Sequence, residues 1–131
     1  MQVQEGEGWR LAVDPSRRPF PMLIGGAGWA AEISVGEARA LSRGVATLVG
    51  QHRQLGGTLM AEEAIELELE LELEPGSLWL TLAGDRRQWS LRFVLTPAGE
   101  RRGLEGGWSV DASAAFAAAL ELASPFADGP P

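Results

Sequence analysis

Residues 65–74 read Ile-Glu-Leu-Glu-Leu-Glu-Leu-Glu-Leu-Glu, a strict alternation of apolar and acidic side chains. Successive side chains of a β-strand point to opposite faces, so a period of two predicts a half-buried strand. The apolar side chains would face the core, and the glutamates would form a row on the other face. This stretch therefore predicts a sheet with one strongly acidic face.

The two segments that follow are expected to extend this sheet as an antiparallel meander. Pro-Gly at 75–76 suits a two-residue turn, which would pair residue 74 with residue 77. A four-residue loop at 84–87 would then lead into a third strand over 89–96. In this register the leucines share the inner face. The candidate interaction face on the acidic side consists of Glu70, Glu72, Trp79 and Arg92, with the last three directly opposite one another.

The other segments predict four more strands, over residues 9–13, 21–24, 29–33 and 101–108. The second of these is expected at a sheet edge, because Pro19 and Pro21 cannot donate to a ladder and are therefore confined to an edge or a loop. The fourth is weakened by three glycines. Together with the acidic stretch, these segments predict a protein dominated by antiparallel sheets.

A first helix is expected after the strand at 29–33. Ser34 and Glu37 have the spacing of a capping box, which would satisfy two backbone N–H groups at the helix start. The helix would end at Gly50 or at the glycine pair 56–57. Its apolar stripe would consist of Ala38, Leu41, Val45 and Leu48.

A second helix is expected near the end of the chain. Asp111 or Ser113 would cap it, and Ser-Pro at 124–125 would stop it. Its stripe would consist of Ala112, Phe116, Ala119, Leu120 and Ala123.

Each half of the chain therefore reads as several strands followed by a helix, and a Gly-Trp pair precedes both helices. We expect one α+β domain over residues 1–126, with antiparallel sheets, two helices and two pseudo-repeats at about 6–55 and 62–124. Residues 127–131 are expected to be a disordered tail.

The composition is that of a globular, acidic protein. The chain has 131 residues, of which 45% are hydrophobic, it contains no Cys, and its formal net charge is −7. Residues 1–60 carry six arginines and five acidic residues, whereas residues 61–131 carry five arginines and thirteen acidic residues. Nucleic acids are bound through neutralisation of phosphates, so the second half predicts a poor nucleic-acid surface. Without a signal peptide or a long apolar run, we expect a cytoplasmic protein that does not enter membranes.

No constellation of residues indicates an enzyme, a metal site or a cofactor. His52 is the only histidine, and we expect it to be exposed near the end of the first helix. Glutamates on one strand face lie about 7 Å apart in a flat row, which does not converge on a Ca²⁺ ion. Gly26-x-Gly28-x-x-Ala31 fits a loose dinucleotide-binding pattern, but no βαβ unit follows, so we interpret it as a turn. We expect a non-enzymatic binding protein without catalytic residues, metal or cofactor.

Five tryptophans are candidates for core packing or for a binding surface. Trp89 is expected in the core, and Trp29 and Trp108 are expected to pack where the helices begin. Trp9 and Trp79 are the candidates for exposure, and an exposed aromatic ring beside arginines can stack unpaired bases. The candidate nucleic-acid-binding residues are Trp9, Arg10, Arg17, Arg18, Arg101 and Arg102.

Several segments, in this order and spacing, resemble one protein family. They are Gly6-x-Gly8-Trp9-Arg10-Leu11 with Asp14-Pro15, Gly25-Gly26 before Trp29-Ala30-x-Glu32-Ile33, Met60-x-Glu62-Glu63-x-Ile65, Leu78-Trp79-Leu80, Trp89-Ser90-Leu91-Arg92 and Arg101-Arg102-x-x-Glu105-Gly106-x-Trp108. Over about residues 6–122 the chain resembles an uncharacterised family of small cyanobacterial proteins with plastid relatives, a domain of unknown function. The resemblance implies a Whirly-like fold, that of single-stranded-DNA-binding transcriptional regulators, with two strand-rich repeats each closed by a helix. It implies no catalytic residues.

Two functions follow as hypotheses. The first is single-stranded nucleic-acid binding related to transcription, which the fold resemblance implies and which would use the arginines of the first half. The alternative is an acidic protein-interaction module or a homodimeric scaffold that binds no nucleic acid. The charge distribution favours the alternative, because one sheet face is a row of glutamates.

Overall fold

Two antiparallel four-stranded sheets and two helices are present in residues 1–73, 75–97, 99 and 102–123, which the computed structural model describes. The first sheet contains β1 (Gln2–Gly6), β2 (Trp9–Val13), β3 (Met22–Gly26) and β4 (Trp29–Ile33), in that order. The second contains β5 (Ile65–Leu73), β6 (Gly76–Gly84), β7 (Trp89–Thr96) and β8 (Leu104–Trp108). Helix α1 (Val35–Gly56) follows the first sheet, and α2 (Ser113–Leu122) follows the second. The predicted α+β class is confirmed, while the helix stop at 124–125 and the tail at 127–131 lie outside the described residues.

The first sheet differs from the prediction at two strands. β1 is absent from the prediction, since Gln-Val-Gln-Glu-Gly carries a single apolar side chain; its pairing with β2 stabilises a strand that the local sequence does not indicate. β3 lies between β2 and β4 and not at an edge. It begins at Met22, after both prolines, so neither proline interrupts the ladder.

Two matching turns close the hairpins of the first sheet. Residues 6–9 and 26–29 share the pattern Gly-x-Gly-Trp, and Gly8 and Gly28 both have a φ of 80°. This φ at the second central position is that of a type II turn, and glycine adopts it without strain. A Cβ on the first glycine of either turn would lie 2.8 Å from Cε2 of the tryptophan, so each indole covers a position without a side chain. The segment at 26–29 is therefore a hairpin turn, as interpreted from the sequence.

The second sheet has the predicted strands and faces, but its register is shifted by two residues. Leu73 pairs with Gly76 and not with Leu78, so Gly76 belongs to the strand and not to the turn. Likewise, Trp89 pairs with Gly84 and not with Leu82. A shift of two preserves the face that each side chain occupies, but it changes every cross-strand partner. The leucine face is therefore confirmed, and the predicted cross-strand pairs are wrong.

The first helix packs against the second sheet. α1 contacts β5 and β6, whereas α2 contacts β2 of the first sheet as well as β7 of its own half. An added Cβ on Gly44 of α1 would overlap Cδ1 of Leu80 and lie 2.9 Å from Cδ1 of Leu71. Glycine at this position therefore allows α1 to lie close to the sheet. Both predicted stripes are buried in the shared core, namely Ala38, Leu41, Val45, Leu48, Ala112, Phe116, Ala119, Leu120 and Ala123.

The capping box predicted for α1 is confirmed. The Glu37 N–H donates to the Ser34 hydroxyl at 3.2 Å, and the Ser34 N–H donates to the Glu37 carboxylate at 2.8 Å. α1 continues through Gly50 to Gly56, so the second of the two predicted ends is correct.

The start of α2 differs from the prediction. Its N-cap is Ala112 without a side-chain hydrogen bond, so neither Asp111 nor Ser113 caps the helix. The buried Ser113 hydroxyl instead accepts a hydrogen bond from the Leu91 N–H at 3.0 Å and lies 2.9 Å from the Trp108 carbonyl oxygen. This serine therefore ties the start of α2 to the second sheet.

Two tryptophans join the sheets through crossed hydrogen bonds. The Trp29 Nε1–H donates to the Gly107 carbonyl at 3.2 Å, and the Trp108 Nε1–H donates to the Gly25 carbonyl at 2.8 Å. The two indoles lie 5.3 Å apart, and Trp108 stacks on Phe116 of α2 with ring centroids 3.9 Å apart. The packing role predicted for these two tryptophans is confirmed, and their side chains position one sheet relative to the other.

Candidate functional site

The outer face of the second sheet, opposite the helices, carries a row of carboxylates beside an apolar strip. The glutamates of β5 are all exposed, while the leucines between them pack against the core. Alternate residues of a strand lie about 7 Å apart, so these carboxylates form a regularly spaced line. We call this surface the acidic face; it consists of Glu66, Glu68, Glu70, Glu72, Trp79, Arg92, Val94 and Glu105.

One cross-strand row of the acidic face combines apolar and acidic side chains. Glu70 lies opposite Trp79, Trp79 opposite Val94, and Val94 opposite Glu105. Trp79 and Val94 are half-buried, and both end residues are exposed. Glu105 is not among the residues predicted for this face. The alternation of Leu104 and Glu105 continues the apolar–acidic pattern of the sheet and is the signal that would have found it.

Arg92 does not occupy the predicted position. It lies opposite Thr81 and Gly107, while Glu72 lies opposite Ser77, so the predicted row of Glu72, Trp79 and Arg92 is wrong. The cause is the two-residue register shift. Arg92 is exposed and forms no ion pair with another described residue.

The candidate nucleic-acid residues of the first half do not form one surface. Trp9 and Arg10 are neighbours in β2, so their side chains point to opposite faces of the first sheet. Trp9 shares its face with Leu11 and packs against the core, and its indole covers Gly6. The expectation that Trp9 is an exposed stacking platform beside Arg10 is therefore wrong.

Two of these arginines are paired with carboxylates. Arg10 lies 3.8 Å from Glu5 across the β1–β2 hairpin, and Arg17 lies 2.6 Å from Glu32 of β4. The pairing reduces the net positive charge that the first sheet offers to a phosphate. Arg18 and Arg102 are exposed. The remaining candidate, Arg101, lies outside the described residues.

His52 is buried, contrary to the expectation of an exposed helix end. Only 7% of its surface is exposed, and its Nε2 lies 2.8 Å from the Asp85 carbonyl oxygen. Because a carbonyl oxygen only accepts, this nitrogen carries the proton and donates it. Asp85 belongs to the loop between β6 and β7. Its carboxylate accepts hydrogen bonds from the backbone N–H groups of Arg87 at 2.8 Å and Gln88 at 2.9 Å. These two bonds hold the pKa of Asp85 below its usual value, and the bond from Gln88 has the larger effect.

Metal ligation has no visible basis in the described part of the chain, where no three His, Asp or Glu side chains come close enough to hold an ion. Nor does any helix within the described ranges have the length and apolar character to cross a membrane. The site combines charged and apolar side chains on one face of a sheet, a combination that suits binding.

A family model and a solved structure are similar to this chain. The model described as a domain of unknown function, DUF1818, matches residues 4–123. A crystal structure from the cyanobacterium Prochlorococcus sp. NATL2A, described as a protein with unknown function from the DUF155 family, has a TM-score of 0.84 and 36% sequence identity, covering 93% of this chain and 98% of that chain. No curated protein matches the chain significantly. The chain therefore belongs to the DUF1818 family.

Proposed function

We propose that the protein is a non-enzymatic protein-interaction module whose acidic face docks a positively charged segment of a partner protein. The observation that carries this proposal is the row in which Trp79 and Val94 lie between Glu70 and Glu105. Aromatic side chains supply much of the binding energy at interfaces, and the surrounding charges select the sign of the partner. A basic segment with apolar residues between its charges matches this arrangement.

The strength expected of such an interface follows from its exposure. An exposed ion pair contributes at most about 1 kcal/mol, and association itself costs several kcal/mol, so several pairs and one tryptophan contact predict weak binding, with a Kd of about 10 µM or weaker at low salt. Since exposed charges are screened beyond about 10 Å at 0.1 M salt, binding should weaken steeply as salt is added.

A second copy of the chain is a poor partner for this face, because two acidic faces repel each other, and it is also a poor partner for the free edge of β5. β5 has a single neighbour in the described sheet, and pairing it with another β5 would place exposed glutamates beside one another. Like charges directly opposite destabilise a strand pair. The proposed partner is therefore a different, basic protein. Light scattering at neutral pH should give a monomer, and a dimer would favour the homodimeric alternative.

The proposal is tested with a labelled basic peptide. The probe is a fluorescein-labelled decapeptide of alternating Arg and Val, whose charges have the spacing of the β5 glutamates, and the readout is fluorescence anisotropy at low salt. Wild-type protein should bind it, and binding should weaken about tenfold or more when Glu66, Glu68, Glu70 and Glu72 are all replaced by Gln.

A control variant distinguishes the effect of the acidic face on peptide binding from the effect of overall net charge. Replacing Glu5, Glu7, Glu62 and Glu63 by Gln changes the net charge by the same amount, but these exposed residues lie outside the acidic face. This control should bind the peptide within about twofold of wild type. Equal weakening of both variants, or no binding by wild type, would contradict the proposal.

Single-stranded nucleic acid is the second candidate ligand. It is supported by the resemblance to Whirly-like proteins, and we propose a Whirly-like fold because each half has four strands followed by a helix. The paired Arg10 and Arg17 and the inward-facing Trp9 count against it. The test is anisotropy with a labelled oligo-dT at low salt. Binding tighter than about 10 µM that weakens in an Arg18→Gln, Arg102→Gln double variant would favour nucleic acid over a basic protein.

A further inference from the structure

A groove lies between α1, α2 and the loop that joins β6 to β7, on the side of the second sheet opposite the acidic face. It consists of two adjoining hollows of about 500 and 380 Å³, which share Val49, Arg53 and Trp89 as lining residues. Volumes of this size are typical of sites for small ligands. We call it the helix groove.

The first hollow of the helix groove is lined mostly by small apolar side chains. Its walls are small side chains of the two helices, and its inner side contains Val45, Trp89 and Leu120, which are all nearly inaccessible to solvent. The small wall residues are Ala46, Val49 and Gly50 of α1 and Ala114, Ala117 and Ala118 of α2. This part suits an apolar chain or ring, and the polar residues of its lining are Ser42, Arg43, Arg53 and Glu121.

The other part of the helix groove is cationic. Arg53, Arg86 and Arg87 line the second hollow, and Arg43 lines the first. All four are exposed, and none forms an ion pair with a described residue. Glu121 is the sole carboxylate among the described lining residues. The lining of the helix groove is therefore positively charged, although the chain as a whole has a net charge of −7.

Hydrogen bonds fix the backbone of the loop that carries Arg86 and Arg87. His52 of α1 donates to the Asp85 carbonyl, and the Asp85 carboxylate accepts the N–H groups of Arg87 and Gln88. The Asp85 N–H also donates to the Gln88 carbonyl at 2.9 Å. The backbone on either side of Arg86 is therefore fixed next to α1 before any ligand binds. Preorganisation of this kind lowers the entropy lost on binding.

We propose that the helix groove binds a small amphiphilic anion, a molecule with an apolar body and one phosphate or carboxylate head. Guanidinium groups donate charge-assisted hydrogen bonds to either head, and phosphate offers more acceptor oxygens. The head lies at Arg53, Arg86 and Arg87, and the body lies between α1 and α2. This site is separate from the acidic face and does not depend on the function proposed for that face.

The probes are four small molecules, tested by isothermal titration calorimetry with the full chain below their micelle concentrations. Octyl phosphate and octanoate combine a head with an apolar body, whereas inorganic phosphate has the head alone and octanol the body alone. Octyl phosphate should bind at least about tenfold more tightly than inorganic phosphate or octanol. Tighter binding of octyl phosphate than of octanoate assigns a phosphate ligand, and the reverse order assigns a carboxylate.

Substitutions in the helix groove test whether octyl phosphate binds there. Arg53→Gln and Arg87→Gln should each weaken octyl phosphate binding about tenfold, while Arg18→Gln, on a loop outside the groove, should leave it unchanged. Gly50→Phe should abolish binding by filling the apolar part. A Cβ at Gly50 meets no atom within 4 Å, so this variant should remain folded, which its thermal unfolding checks.

Three results would overturn the proposal. Octanol could bind as tightly as octyl phosphate, which would remove the anionic head from the site. Octyl phosphate binding could be unaffected by Arg53→Gln and Gly50→Phe, which would place it elsewhere. Light scattering could show a wild-type dimer that Gly50→Phe makes monomeric, which would make the groove an interface between copies.

Discussion

Two glycines of α1 predict opposite responses to the same substitution. Gly44 faces the second sheet, where an added Cβ would overlap Leu80 Cδ1 and lie 2.9 Å from Leu71 Cδ1. Gly50, less than two turns further along, has no atom within 4 Å of that position. Gly44→Ala should therefore destabilise the protein relative to Gly50→Ala.

The magnitude follows from two terms. Alanine in a helix interior is more favourable than glycine by up to about 1 kcal/mol, and this gain applies to both positions. Ordinary carbon contacts lie at about 3.5–4.0 Å, so Gly44→Ala must displace the tip of Leu80, which is wholly buried. Overpacking of this kind costs about 1–3 kcal/mol. Gly50→Ala should gain about 0.5–1 kcal/mol, and Gly44→Ala should be about 1–3 kcal/mol less stable than Gly50→Ala.

The assay is urea unfolding followed by far-ultraviolet circular dichroism, with both variants and wild type. A double variant, Gly44→Ala with Leu80→Ala, identifies the source of the effect. Leu80→Ala alone should cost about 2–5 kcal/mol, but the added methyl group at position 44 should be tolerated better once Leu80 is shortened. The free-energy changes of the two substitutions should therefore not be additive.

Equal stabilisation by Gly44→Ala and Gly50→Ala would mean that Gly44 has no close contact with Leu80. Additive changes in the double variant would mean the same, because they would show that Gly44 and Leu80 do not touch. In either case α1 would not lie against the second sheet at Gly44.

Three further changes test the parts that hold the fold together. Trp108→Phe removes the hydrogen bond to Gly25 and some buried volume, so the free energy of unfolding should fall by about 1–3 kcal/mol in urea titrations. His52→Leu leaves the Asp85 carbonyl without its donor and should cost about 1–2 kcal/mol in the same assay. The lowered pKa of Asp85 means that its stabilising effect is present above the unfolded-state value of about 3.8 and is lost as pH falls through the folded-state value. Asp85→Asn should therefore lose less stability than wild type between about pH 5 and pH 2.

These three predictions have separate controls. An unchanged urea midpoint in Trp108→Phe would mean that the crossed hydrogen bonds do not join the sheets. For His52→Leu, the matched control is the exposed neighbour Gln51→Leu, which should change stability by less than about 0.5 kcal/mol. Identical acid sensitivity of Asp85→Asn and wild type would show that the N–H bonds to this carboxylate do not stabilise the folded state. Asp14, whose pKa is also lowered, mainly by the Ser16 hydroxyl, provides the comparison site.

The sequence determines the faces of the second sheet better than its register. The alternation in β5 assigns each leucine and each glutamate to a side without reference to the rest of the chain. The cross-strand partners depend on where the turn begins, and Pro-Gly permits more than one placement. Gly76 belongs to the strand with a φ of 114°, a conformation that its identity allows but does not require.

Long-range packing accounts for the other differences. β1 has almost no apolar pattern and is stabilised by its pairing with β2. The position of α1 on β5 and β6 depends on how the two halves meet, which periodicity within one helix cannot indicate. His52 is buried because the Asp85 loop folds over the end of α1, a contact between residues 33 positions apart.

In the candidate sites, too, local periodicity was predictable and long-range packing was not. The row of glutamates on the acidic face was predictable, because it needs only the period of two. The placement of Trp9 beside Arg10 failed against that same rule, since neighbours in a strand cannot share a face. The arginines of the helix groove come together from α1 and the β6–β7 loop, so sequence spacing gives no sign of them.

Docking of a basic segment on the acidic face can be observed residue by residue, by mapping chemical-shift changes on ¹⁵N-labelled protein titrated with the Arg-Val decapeptide. If the peptide docks there, the largest changes should fall on the backbone amides of Glu66, Glu68, Glu70 and Glu105 and on the indole N–H of Trp79. Changes confined to the Arg10–Arg18 region or to the helix groove, with Trp79 unaffected, would contradict docking on the acidic face.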